Sequence, residues 1–559
     1  MLPFPQKRFH VKFMPAYREL ILLLIWTAIA AGLRFTQLAA KPPWTDEFST
    51  IVFSLGNSFT TVPLDRIISL DMLLQPLQPN PNAGVVDVVK HLTTESNHPP
   101  LYFILAHWWM NLSPALLDGV WGARSLAAIL GAASIPAIYA LSFLAFRSQL
   151  VAHLAAAIMA VSPYGIFIAQ EARHYTLGIL WIIASLACLV IASQHMQKNT
   201  RFPPSLAFVW VLINFLGIST HYFFIFTLCT EAFWLIFLAL VRKKHFSLTN
   251  PLWWQIFGVG FGTMVGCLFW FPVYWQGSNR SELSEWIKTS DRAIIDWIAP
   301  IFQALGTWIS MLYLLPVSAM SIAVVIVSAI AMLLIFIWIF PILKQGYIIG
   351  LKHPHTSLMF QLFTIVVVGA IAQFFFFTYV FGIDLTRGAR YNFVYFPAFI
   401  IILAASLAVC WNTPPKLGKI IPTSGKVPVA LIWLIATVSG LIVVYNLGYP
   451  KYYRPDLLVP LIKQVSQSPI LIATTHKSHV QIGEMMGIAS SFKLSKMQTN
   501  PQFLLAKTAN LQQTLTQLPQ PIDLWLVNFR APANLNNCTG DRRSFPLIYG
   551  YEYKLYHCQ

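Results

Sequence analysis

The chain has 559 residues, of which 57% are hydrophobic and only 10% are charged, and its mean hydropathy is +0.62. This composition excludes an ordinary soluble globular protein, because the surface of such a protein needs more charge. In a soluble chain, the formal net charge of +17 would suggest a nucleic acid or an acidic surface as partner. Here basic residues concentrated in membrane loops account for much of that charge, so we expect no nucleic-acid partner.

Eleven apolar runs are near the length needed to cross about 30 Å of hydrocarbon. The first run resembles a signal peptide, but the many runs that follow it indicate a retained helix. The expected fold is therefore a polytopic α-helical membrane protein with about 11 transmembrane helices. We place these helices at about 20–38, 122–146, 150–169, 175–194, 206–220, 222–241, 253–275, 318–341, 358–381, 392–411 and 428–447.

Charged residues sort to opposite sides of these spans. With the N-terminus inside, nearly every Asp or Glu falls on the outer side, except Glu19 in a cytoplasmic segment and Glu231 within a span. An excess of Lys and Arg marks cytoplasmic loops and sets the orientation. The basic residues of the predicted cytoplasmic segments are Lys7, Arg8, Lys12, Arg18, Arg147, Lys198, Arg201, Arg242, Lys243, Lys244, Lys344, Lys352, Lys416, Lys419 and Lys426.

Two further apolar stretches are predicted to lie at the outer interface rather than to cross. They are HPPLYFILAHWWMNL, which begins at residue 98, and residues 294–315. If either stretch crossed the membrane, the charge bias of the loops after it would be reversed. Their tryptophans suit the aromatic belt of a membrane–water interface. These tryptophans are Trp108, Trp109, Trp297 and Trp308.

The loop at 40–121 and the chain after the last span are both expected on the outer side. Residues 448–559 contain short apolar runs, such as SPILIATTH and IDLWLVNF, which predict a small α/β domain. We therefore divide the chain into a membrane domain at 1–447 and an outer domain at 448–559. Cys538 and Cys558 lie in the outer domain, where either a disulfide or two free thiols are chemically permitted.

Polar clusters gather on the outer side in this topology. The adjacent carboxylates of WTDEFST cannot point the same way, so one is expected to face a substrate and the other to hold the loop. Each cluster alone is typical of an interfacial anchor or a structural ion pair. Together, in a charge-poor protein, they predict a catalytic cavity. The residues are Asp46, Glu47, His98, Glu171, Arg173, His174, Tyr175, His221, Tyr222, Arg387, Arg390 and Tyr391.

The stretches WTDEFST, HPPLYF, QEARHYTL and RYNFVYFP resemble the GT-C glycosyltransferases over about residues 10–447. They are similar to protein O-mannosyltransferases and lipid A aminoarabinose transferases, especially the bacterial members. The resemblance implies a GT-C fold and transfer of a sugar from a polyprenyl-phosphate donor to a lipid, polysaccharide or protein acceptor. It also implies a bacterial plasma membrane location, with the active site and the outer domain facing the periplasm.

Carried over by position, the resemblance makes Asp46 the general base and Glu47 a residue that orients the acceptor or the loop. Arg173, Arg390 and Arg387 are candidates to hold the donor phosphate, because guanidinium pairs with phosphate oxygens in two-point geometry. A direct displacement would invert the anomeric centre. The substrate cavity would be lined by His98, Glu171, His174, Tyr175, His221, Tyr222 and Tyr391.

No spacing resembles a closed zinc site, and arginine can neutralise the phosphate, so no cofactor is expected to be required. A divalent metal is still compatible with oxygen and nitrogen ligands from Asp46, Glu47, His98, Glu171 and His221. The main alternative function is a transporter or lipid flippase, which predicts ionisable groups near the bilayer midplane, such as Glu231, and often an internal repeat. A membrane scaffold whose outer domain binds a partner is the third alternative.

Overall fold

The computed structural model describes most of the chain. The basic residues predicted before residue 16, at 242–244 and at 416–419 lie outside the described residues. Those described are 16–112, 117, 119–241, 251–278, 285–288, 294–317, 321–413, 424–495, 500–507, 511–515, 520–531, 535 and 537–559.

Each of the eleven predicted spans falls on a helix in its described residues. Within the described residues, eight helices are long and apolar enough to cross a membrane, and a ninth span is a pair of helices bent by 57°. Three further predicted spans are the apolar helices Ala16–Phe35 (α1), Pro204–Thr220 (α10) and Phe396–Asn412 (α16). The eight long helices are α6 (Gly119–Phe146), α9 (Tyr175–Lys198), α11 (Phe224–Val241), α12 (Pro251–Ser278), α13 (Ile294–Leu312), α14 (Ile322–Lys352), α15 (Ser357–Phe381) and α17 (Lys426–Val444).

The two stretches expected at the interface differ in length. Helix α5 (Leu101–Leu112) has 12 residues, which at 1.5 Å per residue gives about 18 Å and cannot cross the hydrocarbon. Helix α13, in contrast, has 19 residues and is long and apolar enough to span. Length therefore permits a crossing by α13, and its interfacial position remains a prediction from charge bias alone.

The bent pair consists of α7 (Gln149–Val161) and α8 (Pro163–Ala169). Pro163 lacks the N–H that would continue the first helix, and Ser162 caps the second by accepting a hydrogen bond from the Gly165 N–H. The buried guanidinium of Arg34 donates to the carbonyls of Met159 and Ala160 at 3.1 and 2.9 Å. Because of this break, α8 runs at 57° to α7. Residues 170–174, which include Glu171 and Arg173, follow directly after the end of α8.

Within its described residues, the loop at 40–121 contains four α-helices besides a short strand. Helix α2 (Thr45–Ser54) begins directly after Trp44, whose N–H donates to Glu47. It buries Phe48 and Val52 in a core shared with the chain's C-terminal part. The other elements are β1 (Ile67–Ser69), α3 (Leu70–Leu74), α4 (Val85–Glu95) and the α5 helix described above.

Five strands of the C-terminal part and β1 form a six-stranded sheet in the order β1-β3-β2-β4-β6-β5. Strands β2, β3 and β4 are parallel, and β1 from the outer loop adds antiparallel to β3 with Ile67 opposite Leu504. The loop and the tail therefore share one sheet. The elements are α18 (Pro455–Val465), β2 (Ile470–Thr475), α19 (His479–Leu494), β3 (Gln502–Ala506), α20 (Leu511–Leu515), β4 (Ile522–Val527), β5 (Cys538–Gly540) and β6 (Tyr553–Cys558).

Two features of the tail bear on its attachment. Cys538 and Cys558 face each other across β5 and β6 and form a disulfide, so the two-thiol alternative is wrong. Helix α19 lies against α2, and a Cβ atom added at Gly483 would come within 3.3 Å of the Thr45 Cα atom. The glycine therefore permits the close approach of these two helices.

Candidate active site

Asp46 lies in the first turn of α2 and faces two arginines. Its Oδ2 atom is 3.5 Å from Arg173 Nη2 and 3.8 Å from Arg390 Nη2. Both distances exceed those of good hydrogen bonds, so the carboxylate does not fully engage either guanidinium. The Asp46 side chain is 31% exposed, so it is open to a ligand from solvent.

Glu47 is completely buried, and protein donors occupy both of its carboxylate oxygens. Arg124 donates from Nε and Nη2 at 2.7 and 2.9 Å, and the Ala172 N–H donates at 2.9 Å. Burial raises the pKa of Glu47, but the charges of Arg124 and Lys451 outweigh it and hold the pKa at about 2. Glu47 is therefore an ionised anchor of the loop, and the two adjacent acids have different partners.

Lys451 connects the C-terminal part of the chain to this anchor. Its Nζ atom lies 3.2 Å from Glu47 Oε2 and 2.5 Å from Glu171 Oε1, and its side chain is almost fully buried. Glu171 is thus tied to Lys451 rather than to the Asp46 cluster. Burial, and then the charge of Lys451, lower the pKa of the nearby Lys41 to about 7.

Arg173 is buried beside Asp46 and is held by three acceptors. Its Nη1 atom donates to the Asp46 carbonyl at 3.0 Å and to Thr50 Oγ1 at 3.2 Å, and its Nη2 atom donates to His98 Nε2 at 2.9 Å. Burial lowers the pKa of Arg173, but the charge of Asp46 more than compensates, so the pKa is raised. Arg173 is a fixed cation.

Three imidazoles pack together beside Arg173. The ring centroids of His98 and His174 are 5.3 Å apart, and those of His174 and His221 are 4.5 Å apart. His221 Nδ1 accepts a hydrogen bond from the Phe223 N–H. Burial, reinforced by neighbouring cationic groups, lowers the pKa of all three rings well below 6.5. The cluster is therefore neutral at physiological pH.

Arg390 reaches Asp46 from the other side and is surrounded by aromatic rings. Its guanidinium lies 4.3 Å from the ring centroid of Trp44, 5.2 Å from that of Trp286 and 5.4 Å from that of Tyr391. Burial lowers the pKa of Arg390, but the neighbouring tyrosines and Asp46 raise it above its ordinary value. The rings supply cation–π contacts and leave the N–H groups available to an anion.

Arg387, the third arginine expected at the donor phosphate, has other partners. Its Nε atom is 3.2 Å from Asp384 Oδ2, its Nη2 atom is 3.7 Å from Asp296 Oδ1, and Nη1 donates to the Trp286 carbonyl. Two nearby carboxylates therefore balance its charge. Of the three arginines, Arg173 and Arg390 are the two that pair with Asp46.

The tyrosines expected in the cavity occupy different places. Tyr175 lies under the Arg173 guanidinium at 5.9 Å and packs against His174, and Tyr391 lies beside Arg390. Tyr222 instead packs edge-on against Tyr274 at 5.3 Å. Two of the three tyrosines therefore contact the arginines of the site.

Glu231, the acid expected near the bilayer midplane, is part of a buried network between helices. Its Oε2 atom lies 2.9 Å from the Ser185 hydroxyl. Asn214 and Trp210 contact the same hydroxyl at 2.8 and 3.0 Å. Glu231 thus joins α9, α10 and α11 through Oε2, while its buried Oε1 has no hydrogen-bond partner among the described residues.

No group of three or more His, Cys, Asp or Glu side chains within the described residues could hold a metal ion. Three of the five ligands considered from sequence are engaged by protein cations. Glu47 and Glu171 bind Lys451, and His98 Nε2 accepts from Arg173.

The sequence patterns missed several residues that build the site. Arg124 carried a usable signal, because it lies inside the predicted span at 122–146 and a charge within a span is usually functional or structural. Lys451, Trp44 and Trp286 carried little signal. Their importance comes from tertiary contacts to Glu47 and Arg390.

No protein-family model matches this chain, and no curated protein matches it. Among solved structures, it is similar to ArnT from Cupriavidus metallidurans bound to undecaprenyl phosphate, with TM-score 0.48 and 10% identity over 97% of this chain and 98% of that chain. The apo form of that ArnT gives TM-score 0.48 and 12% identity over 92% and 93%. The Archaeoglobus fulgidus oligosaccharyltransferase in complex with zinc and sulfate gives 0.41 and 14% over 84% and 61%. Since these identities and TM-scores are low, the functional conclusion rests on this chain's own residues.

Proposed function

We propose that the protein is a membrane glycosyltransferase that moves a sugar from a polyprenyl-phosphate donor to an acceptor hydroxyl at the outer face of the membrane. The observation that carries the proposal is the convergence of Arg173 and Arg390 on the partly exposed carboxylate of Asp46. Two fixed cations beside one available carboxylate suit a reaction that needs a base and releases a phosphate.

In the proposed reaction, Asp46 accepts the proton of the acceptor hydroxyl while the hydroxyl oxygen attacks the anomeric carbon. The bond between the anomeric carbon and the phosphate oxygen breaks, and its electron pair leaves with the polyprenyl phosphate. Arg173 and Arg390 stabilise the negative charge that develops on the leaving phosphate. Attack from the side opposite the leaving group inverts the anomeric centre.

The free donors of the two arginines support the assignment of a phosphate. Nε of Arg173 and Nε of Arg390 are both buried and have no protein acceptor within the described part of the chain. Buried N–H groups are nearly always paired, so these two are available to an acceptor outside the protein. Phosphate oxygens are such acceptors, and guanidinium groups match them in two-point geometry.

The other parts of the proposal follow from the apolar helices and the charge bias. We place the protein in a bacterial plasma membrane, with the site and the C-terminal sheet facing outward. Glu47 holds the loop through Arg124 and Lys451 and takes no part in proton transfer. No step of the proposed reaction passes through a metal. The acceptor is a lipid, a polysaccharide or a protein that carries a hydroxyl group.

The experiment that tests this function compares lipids from cells that make or lack the protein. Mass spectrometry of extracted lipids should find a polyprenyl-phosphate sugar that accumulates without the protein and disappears when the wild type is restored. The Asp46→Asn variant should fail to restore, while Asp71→Asn should succeed, because Asp71 is an exposed acid of the same loop. Equal lipid profiles with and without the protein would overturn the proposal.

A further inference from the structure

The HPPL stretch has no role in the proposed sugar transfer, but it places His98 directly against Arg173. His98 precedes Pro99, which restricts its backbone to extended conformations, and α5 begins just after Pro100. This rigid turn presents the imidazole between two partners. Ser96 Oγ lies 2.9 Å from His98 Nδ1, and Arg173 Nη2 lies 2.9 Å from His98 Nε2.

These two contacts determine the protonation of the ring. A guanidinium has only donors, so His98 Nε2 must accept through its lone pair. A neutral imidazole then carries its proton on Nδ1, and that N–H donates to the Ser96 hydroxyl oxygen. Protonation of Nε2 would set two donors against each other 2.9 Å apart. The arrangement therefore requires a neutral ring with the proton on Nδ1.

We propose that Ser96 and His98 are a positioning pair for Arg173, in which Ser96 accepts the Nδ1–H of His98 and holds the ring, and His98 Nε2 holds the guanidinium. The consequence for donor binding rests on the proposed function. With Nη1 bound to the Asp46 carbonyl and to Thr50, the hydrogen bond to His98 fixes the remaining rotation of the guanidinium. Arg173 Nη2 then faces Asp46 Oδ2, and its free Nε–H is held in one direction for the phosphate.

The surroundings of His98 keep the ring in the required state. Its aromatic neighbours are Phe103, His174 and His221, with ring centroids 6.0, 5.3 and 6.5 Å away. Burial and the charges of Arg173, His479 and Arg390 all lower the pKa of His98. Within the described residues, no carboxylate lies in hydrogen-bonding distance of the His98 ring, whose two nitrogens contact Ser96 and Arg173.

The first test measures binding of undecaprenyl phosphate to the purified full-length protein in detergent. His98→Ala should weaken binding about tenfold or more, since it removes a hydrogen bond to a charged group. His98→Gln should stay within about threefold of wild type, because its amide oxygen can accept from Arg173 without titrating. His91→Gln, in the same loop, is the control and should match wild type. A matched thermal unfolding temperature shows that each variant is folded.

A double-mutant cycle separates a positioning role from an independent one. In an Arg173→Met background there is no guanidinium to hold, so adding His98→Ala should change the affinity less than twofold. Equal and additive effects in both backgrounds would overturn the proposal, as would wild-type affinity in His98→Ala while Arg173→Met is weakened.

The second test reads the tautomer directly and does not depend on the function. Nitrogen NMR of ¹⁵N-histidine-labelled protein, assigned with His98→Gln, should show the His98 proton on Nδ1 in the wild type and in Ser96→Ala, where Arg173 still requires Nε2 to accept, and its transfer toward Nε2 in Arg173→Met. A proton on Nε2 in the wild type would overturn the pair. If the wild type does not bind undecaprenyl phosphate, the proposed polyprenyl-phosphate site is wrong, and the NMR result still decides whether the positioning pair exists.

Discussion

Lys451 is buried against Glu47, with 3.2 Å between Nζ and Oε2, although 404 positions separate the two residues in the chain. The same ammonium group binds Glu171 just beyond the bent helix pair. The start of the C-terminal part is thereby joined to the loop that carries Asp46 and to the turn that carries Arg173. Strand β1 adds a second connection by pairing with β3. The tail is therefore a structural part of the site.

Removing the Lys451 charge should destabilise the protein. Lys451→Met leaves Glu47 and Glu171 buried without their shared cation, and breaking a buried ion pair costs about 3–5 kcal/mol. We expect a clear fall in the thermal unfolding temperature in detergent and partial recovery in Lys451→Arg. Lys463→Met, which removes a lysine bonded to the Ser495 carbonyl at the surface, is the matched control. Equal unfolding temperatures in the two Met variants would contradict this role.

Substitutions of Asp46 and Glu47 should have different main effects, on the rate of transfer for Asp46 and on the stability of the protein for Glu47. Asp46→Asn removes the proton acceptor while keeping the size, so transfer should fall by about 10²–10⁴-fold. Its unfolding temperature should fall less than that of Glu47→Gln, because Asp46 is partly exposed and lies 3.5 and 3.8 Å from its two arginines. Glu47→Gln leaves Arg124 and Lys451 without their counter-charge, so its main effect should be a lower unfolding temperature. The measurements are transfer by purified protein and thermal unfolding of the same samples. Near-normal transfer by Asp46→Asn would contradict the assignment of Asp46 as the base.

The arginines provide a comparison within one short segment. Arg390→Ala should weaken the binding of undecaprenyl phosphate by at least tenfold, because the phosphate would lose charge-assisted hydrogen bonds of about 1.5–3 kcal/mol. Arg387→Ala should weaken it much less, because Arg387 pairs with Asp384 and Asp296. Affinity for undecaprenyl phosphate in detergent is the measurement. Equal losses in the two variants would place Arg387 at the phosphate after all.

Apolar length and charge bias in the sequence predicted the helices, because crossing hydrocarbon requires long apolar segments whatever the tertiary structure. The residue types of the site could also be predicted, since charged groups are rare in this chain. The partners could not. Whether Arg173 or Arg387 reaches Asp46 depends on how α8 is directed after the break at Ser162 and on the short turns before α16. Nothing local distinguishes Lys451 from any other lysine that follows an apolar helix.

The buried imidazoles predict how stability depends on pH. The pKa values of His98, His174 and His221 are well below 6.5 in the folded protein, because burial disfavours the charged rings. The unfolded chain has ordinary values near 6.5. Below that pH, the unfolded state binds protons that the folded state does not, so the free energy of unfolding falls as the pH falls.

Each imidazole contributes up to about 1.4 kcal/mol per pH unit in this range. Glu47 acts at lower pH, since its contribution is complete above 4.5 and is lost as the pH falls toward 2. Between pH 7.5 and 5.0, the three buried histidines should therefore lower the thermal unfolding temperature in detergent as the pH falls. Glu484 and His557 act in the opposite direction, because burial raises the pKa of Glu484 and the hydrogen bond to Asp523 raises the pKa of His557.

In His98→Gln, the unfolding temperature should fall less with decreasing pH than in the wild type. The variant His355→Gln, at an exposed position, should leave this pH dependence unchanged. The same pH dependence in His98→Gln as in the wild type would mean that His98 takes up a proton as readily in the folded protein as in the unfolded chain.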